Sequence, residues 1–513
     1  MTSLFTRRCQ FLAGAMAFWM GAASATSLAD DRVFDIVAPF EIGGLDPSIS
    51  GFVFQRMQIA ETLLGADASG EPLPALAEKW EVSADGMRWS FQLRQGVKFH
   101  DGTPMTAGAA AHSLQVAQAK TGMLRNAEIK SISAHDGQVV ITLVKPFAPL
   151  TALLAHSSTN ILAPASYDAA GNVQEIIGTG PYELTLLEPP QRLAAKRFEG
   201  YWGPKPTIQK TSYLGAGRGE TRTLMAESGG AELVFQLDPP SIARLKRSKT
   251  TQVLIGPVPR VLVLAPNSGT GATSSVEVRR ALSLAINREG IAAAVLRAPG
   301  TGATQMFAQN VPAWHDPEVA PLAYDPQAAR DQLKDQGWNL NGAGILEKGG
   351  IPLQLKLLTY SDRPELPLIA TAIQAQLREI GVEVEVIVGN ASAIPAAHND
   401  GTLQLALYGR NYALVPDPSV TLLADFANGG AEWGPLGWNN PAFGRLMLAL
   451  LASRDADQKR LIRKQIVALI QTDLPLIPVA WYRQSIAVSN DVAGAFIDPF
   501  ERTFGLSTMR WAE

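Results

Sequence analysis

The sequence predicts a mixed α/β protein in which helices cover a sheet. Short segments rich in β-branched residues and amphipathic helical segments occur along the same chain. In the second half, a helical segment precedes two strand segments and another helical segment follows them. No period of roughly 20–50 residues repeats, which excludes solenoids and propellers.

Length and composition define the broad class of protein. A chain of 513 residues is long enough for about three domains. Hydrophobic residues make up 46% and charged residues 18%, so the apolar side chains can offset the entropy of folding and a disordered chain is excluded. The net charge of −3 offers no basic surface, and we expect no nucleic-acid partner.

The strand and helix segments follow from local patterns. Six short aliphatic segments bounded by turn residues predict strands: 33–37, 138–144, 260–264, 352–358, 382–388 and 403–408. Four segments with apolar residues three and four apart predict helices: 276–287, 327–336, 367–380 and 455–472. Asp325 and Pro326 mark a helix start, whereas Gly337 and Gly381 mark helix ends.

The N-terminus has the three parts of a secretory signal. Arg7 and Arg8 are basic, residues 11–23 are apolar, and residues 23–25 or 27–29 offer small side chains for cleavage. The apolar run is too short to cross a bilayer. We therefore expect cleavage after residue 25 or 29 and a periplasmic protein, exported by the Sec or the twin-arginine route, with an uncleaved anchor as the alternative.

Residues that carry catalysis or bind metals are scarce. The only cysteine, Cys9, lies within the predicted signal, so the mature chain has no disulfide and no thiol nucleophile. No two of the six histidines are three or four residues apart, and neither a nucleophile elbow nor a phosphate loop occurs. We expect no catalytic residue, no metal site and no cofactor. The sequence favours a binding protein over an enzyme.

A series of motifs runs along the chain in order. Residues 74–107 read PALAEKWEVSADGMRWSFQLRQGVKFHDGTPMTA. Later motifs are IGTGPY at 177–182, YWG at 201–203, VRRALSLAI at 278–286, YDPQA at 324–328 and LPLIPVAW at 474–481. This set resembles the family 5 solute-binding proteins of ABC importers, the class for peptides, nickel and opines, over about residues 33–510.

The resemblance implies a two-lobe periplasmic binding protein fold of cluster C, similar to type II, with an extra inserted subdomain. The crossing strands near Leu264 and Val479 would form the hinge between the lobes. The implied boundaries are 30–67, 178–265 and 484–513 for lobe I, 68–177 for the inserted subdomain and 266–483 for lobe II.

The resemblance also implies a function. The protein would capture a small solute (a peptide, an opine or a metal chelate) between its lobes and deliver it, as a monomer, to ABC permease subunits at the membrane. A periplasmic chaperone or ligand sensor could use the same fold. An exported hydrolase is a further alternative, but no pair of nucleophile and base is visible in the sequence.

One candidate ligand-binding region follows the first strand, at residues 40–55. Its glycines and Asp-Pro turn allow the backbone to approach a ligand closely. Phe52 and Phe54 are candidates for lining the pocket. A helix face buried in the core is the alternative for both.

A second candidate region is the loop predicted at residues 409–417, directly after an aliphatic strand. Ligands of open α/β sheets bind beyond the carboxyl ends of strands, which makes Arg410, Asn411 and Tyr412 candidate ligand-binding residues. The Arg410 guanidinium could bind a ligand carboxylate at two points. The alternative is an ion pair with Asp417 or Asp425.

Two departures from the family pattern bear on the ligand. Leu414 stands where peptide-binding members carry an aspartate that holds the peptide ammonium. Residues 155–160 and 120–124 lack the arginine and tryptophan of nickel-chelate members, although His156 lies there and is a candidate ligand-binding residue. We therefore expect a carboxylate-bearing ligand for which a free amine is not required.

Overall fold

A computed structural model describes residues 32–120, 122–361, 363–426 and 433–512. The predicted secretory signal lies outside these ranges. None of the helices within them combines the length and the apolar character that a membrane span requires.

The order of elements along the chain alternates between strands and helices. The strands are β1 (Val33–Ala38), β2 (Leu64–Ala66), β3 (Pro72–Pro74), β4 (Ala77–Val82), β5 (Arg88–Leu93), β6 (Ile129–His135), β7 (Gln138–Leu143), β8 (Tyr182–Glu188), β9 (Arg192–Arg197), β10 (Lys210–Gly215), β11 (Leu233–Phe235), β12 (Thr251–Pro266), β13 (Asn339–Leu340), β14 (Leu346–Lys348), β15 (Ile351–Pro352), β16 (Gln354–Tyr360), β17 (Glu383–Gly389), β18 (Leu405–Asn411), β19 (Ile477–Ser489), β20 (Val492–Ala493) and β21 (Arg510–Trp511). The helices are α1 (Pro47–Ser50), α2 (Phe52–Arg56), α3 (Ala107–Ala119), α4 (Leu150–Leu153), α5 (Gly219–Ser228), α6 (Pro239–Leu245), α7 (Val276–Leu284), α8 (Arg288–Ala294), α9 (Pro326–Asp335), α10 (Glu365–Glu379), α11 (Ala393–Asn399), α12 (Pro418–Phe426), α13 (Pro441–Ala452) and α14 (Ala456–Asp473).

A ten-stranded sheet joins the two lobes, in the order β17-β16-β18-β12-β19-β11-β1-β10-β9-β8. We use lobe I for the part of the sheet that contains β1 and β8 to β11, and lobe II for the part that contains β16 to β18. The long strands β12 and β19 pair antiparallel and pass through both lobes. Their register shifts between Pro257 and Val261 and again between Leu262 and Val263, so the pairing of the two crossing strands is irregular there.

Each lobe has its own hydrophobic core. In β1, Phe34 and Ile36 face one apolar cluster and Val37 faces another, because successive side chains of a strand point to opposite faces. The lobe I sheet is therefore covered on both faces. In lobe II, Ile369 and Ile373 of α10 pack against the sheet in a separate core.

An antiparallel four-stranded sheet in the order β4-β5-β7-β6 forms the inserted subdomain. Helix α3 packs on it, and Trp89, Phe91 and Leu114 lie in its core. Glycines allow the subdomain to join lobe I closely. A Cβ at Gly178 would lie 2.2 Å from the Ile59 carbonyl oxygen.

A buried carboxylate also holds this junction. Glu61 accepts hydrogen bonds from the Thr179 hydroxyl at 2.8 Å, the Tyr201 hydroxyl at 3.1 Å and the Trp202 indole at 3.1 Å. Burial raises the pKa of Glu61 to about 7 even though these donors favour the ionised form. The network therefore joins Glu61, which precedes the inserted subdomain, to three residues that follow it in the chain.

The predicted strands and helices are confirmed; apart from one strand their ends shift by at most three residues, and two of the changes bear on the site. The predicted strand at 260–264 is part of the longer β12, because neighbouring strands extend the pairing on both sides. The predicted strand at 403–408 continues to Asn411 as β18, since Asn411 pairs with Arg260 of β12. The sequence placed Arg410 and Asn411 in a loop, and this prediction is wrong because both lie in β18.

Candidate ligand-binding site

Five charged side chains converge between the lobes. Arg56 ends α2, Arg260 lies in β12 where the strand passes between the lobes, and Glu501 comes from the C-terminal segment. Arg363 follows the carboxyl end of β16, and Glu365 begins α10. All are buried except Arg363, which is half-buried. Arg363 thus lies where ligands of α/β sheets bind, beyond a strand end.

Glu501 connects the two lobes within this cluster. Its Oε2 accepts hydrogen bonds from Arg260 Nη2 and Asn411 Nδ2, each at 2.7 Å. Its backbone carbonyl accepts one from Arg56 Nε at 2.6 Å. Burial alone would raise the pKa of Glu501, but the charges of Arg260, Arg56 and Arg363 lower it. Glu501 is therefore an ionised carboxylate beside three guanidinium groups.

Aromatic rings support the guanidinium groups of the cluster. Those of Arg260 and Arg363 lie 5.0 and 5.4 Å from the centre of the Tyr482 ring. A cation over an aromatic face is attracted by the ring, so Tyr482 stabilises the positions of both groups. The phenol ring thereby forms one wall of the site.

A second pair of rings supports Arg56. Its guanidinium lies 4.5 Å from the centre of the Phe40 ring and 5.3 Å from that of Phe52. The two rings meet edge to face at 6.0 Å. Phe52, predicted from sequence to line the pocket, is half-buried and touches a charged residue of the cluster.

Each of the five charged residues has a buried polar atom that is not hydrogen-bonded by any described residue. The atoms are Nη1 of Arg56, Nη1 of Arg260, Nη1 of Arg363, Oε1 of Glu365 and Oε1 of Glu501. Buried polar atoms almost always have a partner, so five such atoms in one cluster indicate a site that binds a polar group. Three cations against two anions favour an anionic group, and a carboxylate suits the fork of a guanidinium.

The structure gives Arg410 a partner within the protein. Its Nε and Nη2 donate to the two carboxylate oxygens of Asp425 at 2.7 and 2.6 Å. Asp425 is only 2% exposed, so this pair is largely shielded from water. The ion pair was the alternative to ligand binding in the sequence analysis, and the structure favours it. A ligand contact of Arg410 remains a prediction with a competing partner.

The other predicted site residues lie in different surroundings. Asn411 belongs to the cluster through Glu501. Tyr412 is buried with its ring 5.7 Å from that of Phe307, and no described residue bonds its hydroxyl. Phe54 is fully buried in the lobe I core, which matches the helix-face alternative. Their ligand contacts remain predictions.

His156 caps a single helical turn at 157–159. Its Nδ1 accepts a hydrogen bond from the Ser158 backbone N–H at 3.2 Å, and the Ser158 hydroxyl lies 2.9 Å from the same nitrogen. Burial lowers the pKa of His156 to about 4, so the ring is neutral near pH 7. This geometry gives the imidazole a structural role.

Sequence reasoning missed Arg56, Arg260, Arg363, Glu365 and Glu501, because five distant segments supply them. A signal existed for two of them. Arg260 is a charged residue beside the apolar run 261–264. Arg363 follows the end of an aliphatic strand, which is the same criterion that made Arg410 a candidate. Glu501 lies in a segment without any periodic pattern.

Two lobes joined by crossing strands, with a charged site between them, define a two-lobe binding protein. Residues 71–433 match the family model described as bacterial extracellular solute-binding proteins, family 5 Middle. The chain belongs to this family of solute-binding proteins.

Relatives and solved structures agree with this membership. The chain is 28% identical to the nickel-binding periplasmic protein of Escherichia coli K12 over 465 residues, which are 86% of this chain and 88% of the relative. It is 27% identical to the dipeptide-binding protein of the same organism, over 84% of each chain. The structure of NikA from Brucella suis in complex with Fe(III)-EDTA has a TM-score of 0.86 at 25% identity, and the match covers 94% of this chain and 100% of that one.

Proposed function

We propose that this solute-binding protein captures a small carboxylate-bearing solute between its lobes and delivers it to an ABC permease. The observation that carries the proposal is the buried, unpaired Nη1 of Arg363 within a cluster of net positive charge. A carboxylate placed there would give Arg363 an ion pair and would balance the cluster.

Arg363 is better placed for this role than Arg260 or Arg410. Arg260 already has Glu501 at 2.7 Å, and Arg410 already has Asp425 at 2.6 Å. No carboxylate of the described residues lies within ion-pair distance of Arg363. Its guanidinium lies over the Tyr482 ring. The residue itself follows shortly after the end of β16. A ligand carboxylate would therefore meet an oriented and unengaged fork of donors.

The ligands named for relatives support a carboxylate. Besides the dipeptide-binding protein, the glutathione-binding protein GsiB of Escherichia coli K12 is 26% identical to this chain over 457 residues. Dipeptides and glutathione carry carboxylates, and so does the EDTA of the Brucella suis complex. The shared chemistry agrees with the surplus of guanidinium groups here.

The location and the motion complete the proposal. The nickel-binding relative from Escherichia coli K12 is named as a periplasmic protein. The predicted signal would export this chain to the same compartment. We further propose the lobe boundaries given by the sequence, with a hinge at the crossing strands near Leu264 and Val479. Ligand contacts made by both lobes exist only in the closed form, so binding shifts the population towards it.

The test compares acids with their amides. Calorimetry should show that carboxylate-bearing solutes bind the wild-type protein and that the matching carboxamides bind far more weakly. Arg363→Gln should weaken binding of the acid by about 2 kcal/mol, roughly thirty-fold. Arg378→Gln, an exposed position on α10, is the matched control and should leave affinity unchanged. Equal affinity for acid and amide would contradict the proposal.

A further inference from the structure

A buried acidic side chain adjoins the proposed carboxylate site. Glu365 is 6% exposed, and no described residue donates a hydrogen bond to its Oε1. It lines a cavity of about 210 Å³ between the lobes. Leu237 and Ile242 of lobe I and the Trp481 ring form apolar walls of the same cavity, and Lys246, Arg297 and Arg483 also line it. The free carboxylate oxygen therefore borders space that a ligand can occupy.

The position of Glu365 in the chain explains why the fold tolerates its charge. It is the first residue of α10, where the helix dipole favours a negative group. The dipole provides no hydrogen bond to Oε1, however, and a buried oxygen without a donor is destabilising. The group that complements it is a hydrogen-bond donor with positive charge.

Glu365 and Arg363 carry opposite charges near the start of α10 without forming an ion pair with each other. They are two residues apart at the start of α10, and Tyr482 lies by both. Burial opposes the charged form of Arg363, but its pKa lies above the usual value because Tyr482 and Glu365 stabilise the cation. One small molecule could contact both groups at once.

We propose that Glu365 binds a protonated amine of the same ligand whose carboxylate binds Arg363. This inference rests on the proposed function and adds a second contact to it. Three guanidinium groups and two carboxylates leave the cluster with one net positive charge. A ligand that carries carboxylate groups as well as one protonated amine complements these cations and Glu365, and its apolar part packs against Ile242 and Trp481. This proposal departs from the expectation, drawn from Leu414, that a free amine is not required, because Glu365 supplies an acidic group elsewhere in the site.

The experiment uses probes in matched sets of three. Each acidic dipeptide or N-carboxyalkyl amino acid is compared by calorimetry with its N-acetylated form and with its carboxamide form. The wild-type protein should bind the form with a free amine at least thirty-fold more tightly than the N-acetylated form. Glu365→Gln should lose this preference and retain the preference for acid over amide. Glu379→Gln, at the exposed end of α10, should behave as the wild type.

The outcomes separate this inference from the proposed function. Equal binding of amine and N-acetylated probes to the wild type overturns the amine site and leaves the carboxylate site intact. If the wild type binds the carboxamide probe as tightly as the acid, or binds no probe at all, both the amine site and the carboxylate site are overturned. Glu365→Asp keeps the charge on a shorter side chain and should show an intermediate preference for the amine. A wild-type preference in Glu365→Gln would also overturn the inference.

Discussion

The Arg410 guanidinium and the Asp425 carboxylate form a two-point ion pair at the end of β18. Removing one partner of such a pair leaves a buried charge without compensation. Arg410→Ala should therefore lower the free energy of unfolding by about 3 kcal/mol, as measured by urea denaturation. The double variant with Asp425→Leu should recover part of the loss. A fully stable Arg410→Ala would contradict this account and return Arg410 to the ligand site.

His156 gives the protein a pH-dependent stability. Its pKa is about 4 in the folded protein against 6.5 without burial, so the unfolded chain binds more protons between these values. Stability is complete above pH 6.5 and falls as the pH decreases towards 4, by on the order of 2 kcal/mol for a partly exposed ring. His156→Asn keeps an acceptor at the cap and should lose this dependence.

The control for His156 is His135, which is exposed beside Asp136. His135→Asn should leave the fall in stability between pH 6.5 and 4 as it is in the wild type. Thermal unfolding at several pH values measures both variants. A wild-type pH profile for His156→Asn would show that other groups cause the effect.

Among the elements, the junction between lobe I and the inserted subdomain depends on a close backbone approach. Gly178→Ala would place a Cβ 2.2 Å from the Ile59 carbonyl oxygen. The backbone must shift, and we expect a loss of about 3 kcal/mol in the free energy of unfolding. Gly217→Ala, where nothing lies within 4 Å, should leave stability nearly unchanged in the same urea titration. Equal stability of both variants would contradict the tight junction.

Local patterns predicted the elements well and the site poorly. Helix α10 was predicted at 367–380 and lies at Glu365–Glu379, because its apolar spacing determines the buried face. Spacing does not indicate which charged residue finds a partner. Arg363 and Arg410 both follow or end aliphatic strands, yet only Arg410 has an aspartate opposite it. Such pairing depends on segments far apart in sequence.

At the scale of the whole molecule, lobe II also packs against the inserted subdomain. Val415, Val420 and Leu451 of lobe II lie in the subdomain core, and the Ala148 backbone N–H donates to the Leu451 carbonyl at 2.7 Å. By the predicted boundaries, the chain connects these two parts through lobe I. Their contact therefore stabilises one relative position of the lobes.

This contact should affect ligand affinity as well as stability. Leu451→Ala should lower the free energy of unfolding by about 3 kcal/mol, and it should also weaken ligand binding because the closed form loses a contact. The neighbouring Leu450 lies in the lobe II core, so Leu450→Ala should reduce stability without changing affinity. Urea titration and calorimetry measure the two effects. Equal affinity in both variants would show that this contact does not change on closure.

The most direct test of a carboxylate site between the lobes is mass spectrometry of the small molecules released from the protein purified from its native compartment. The wild type should release about one small carboxylate-bearing molecule per chain, and Arg363→Gln should retain far less of it. A released ligand without any carboxylate, or equal retention by Arg363→Gln, would contradict the account.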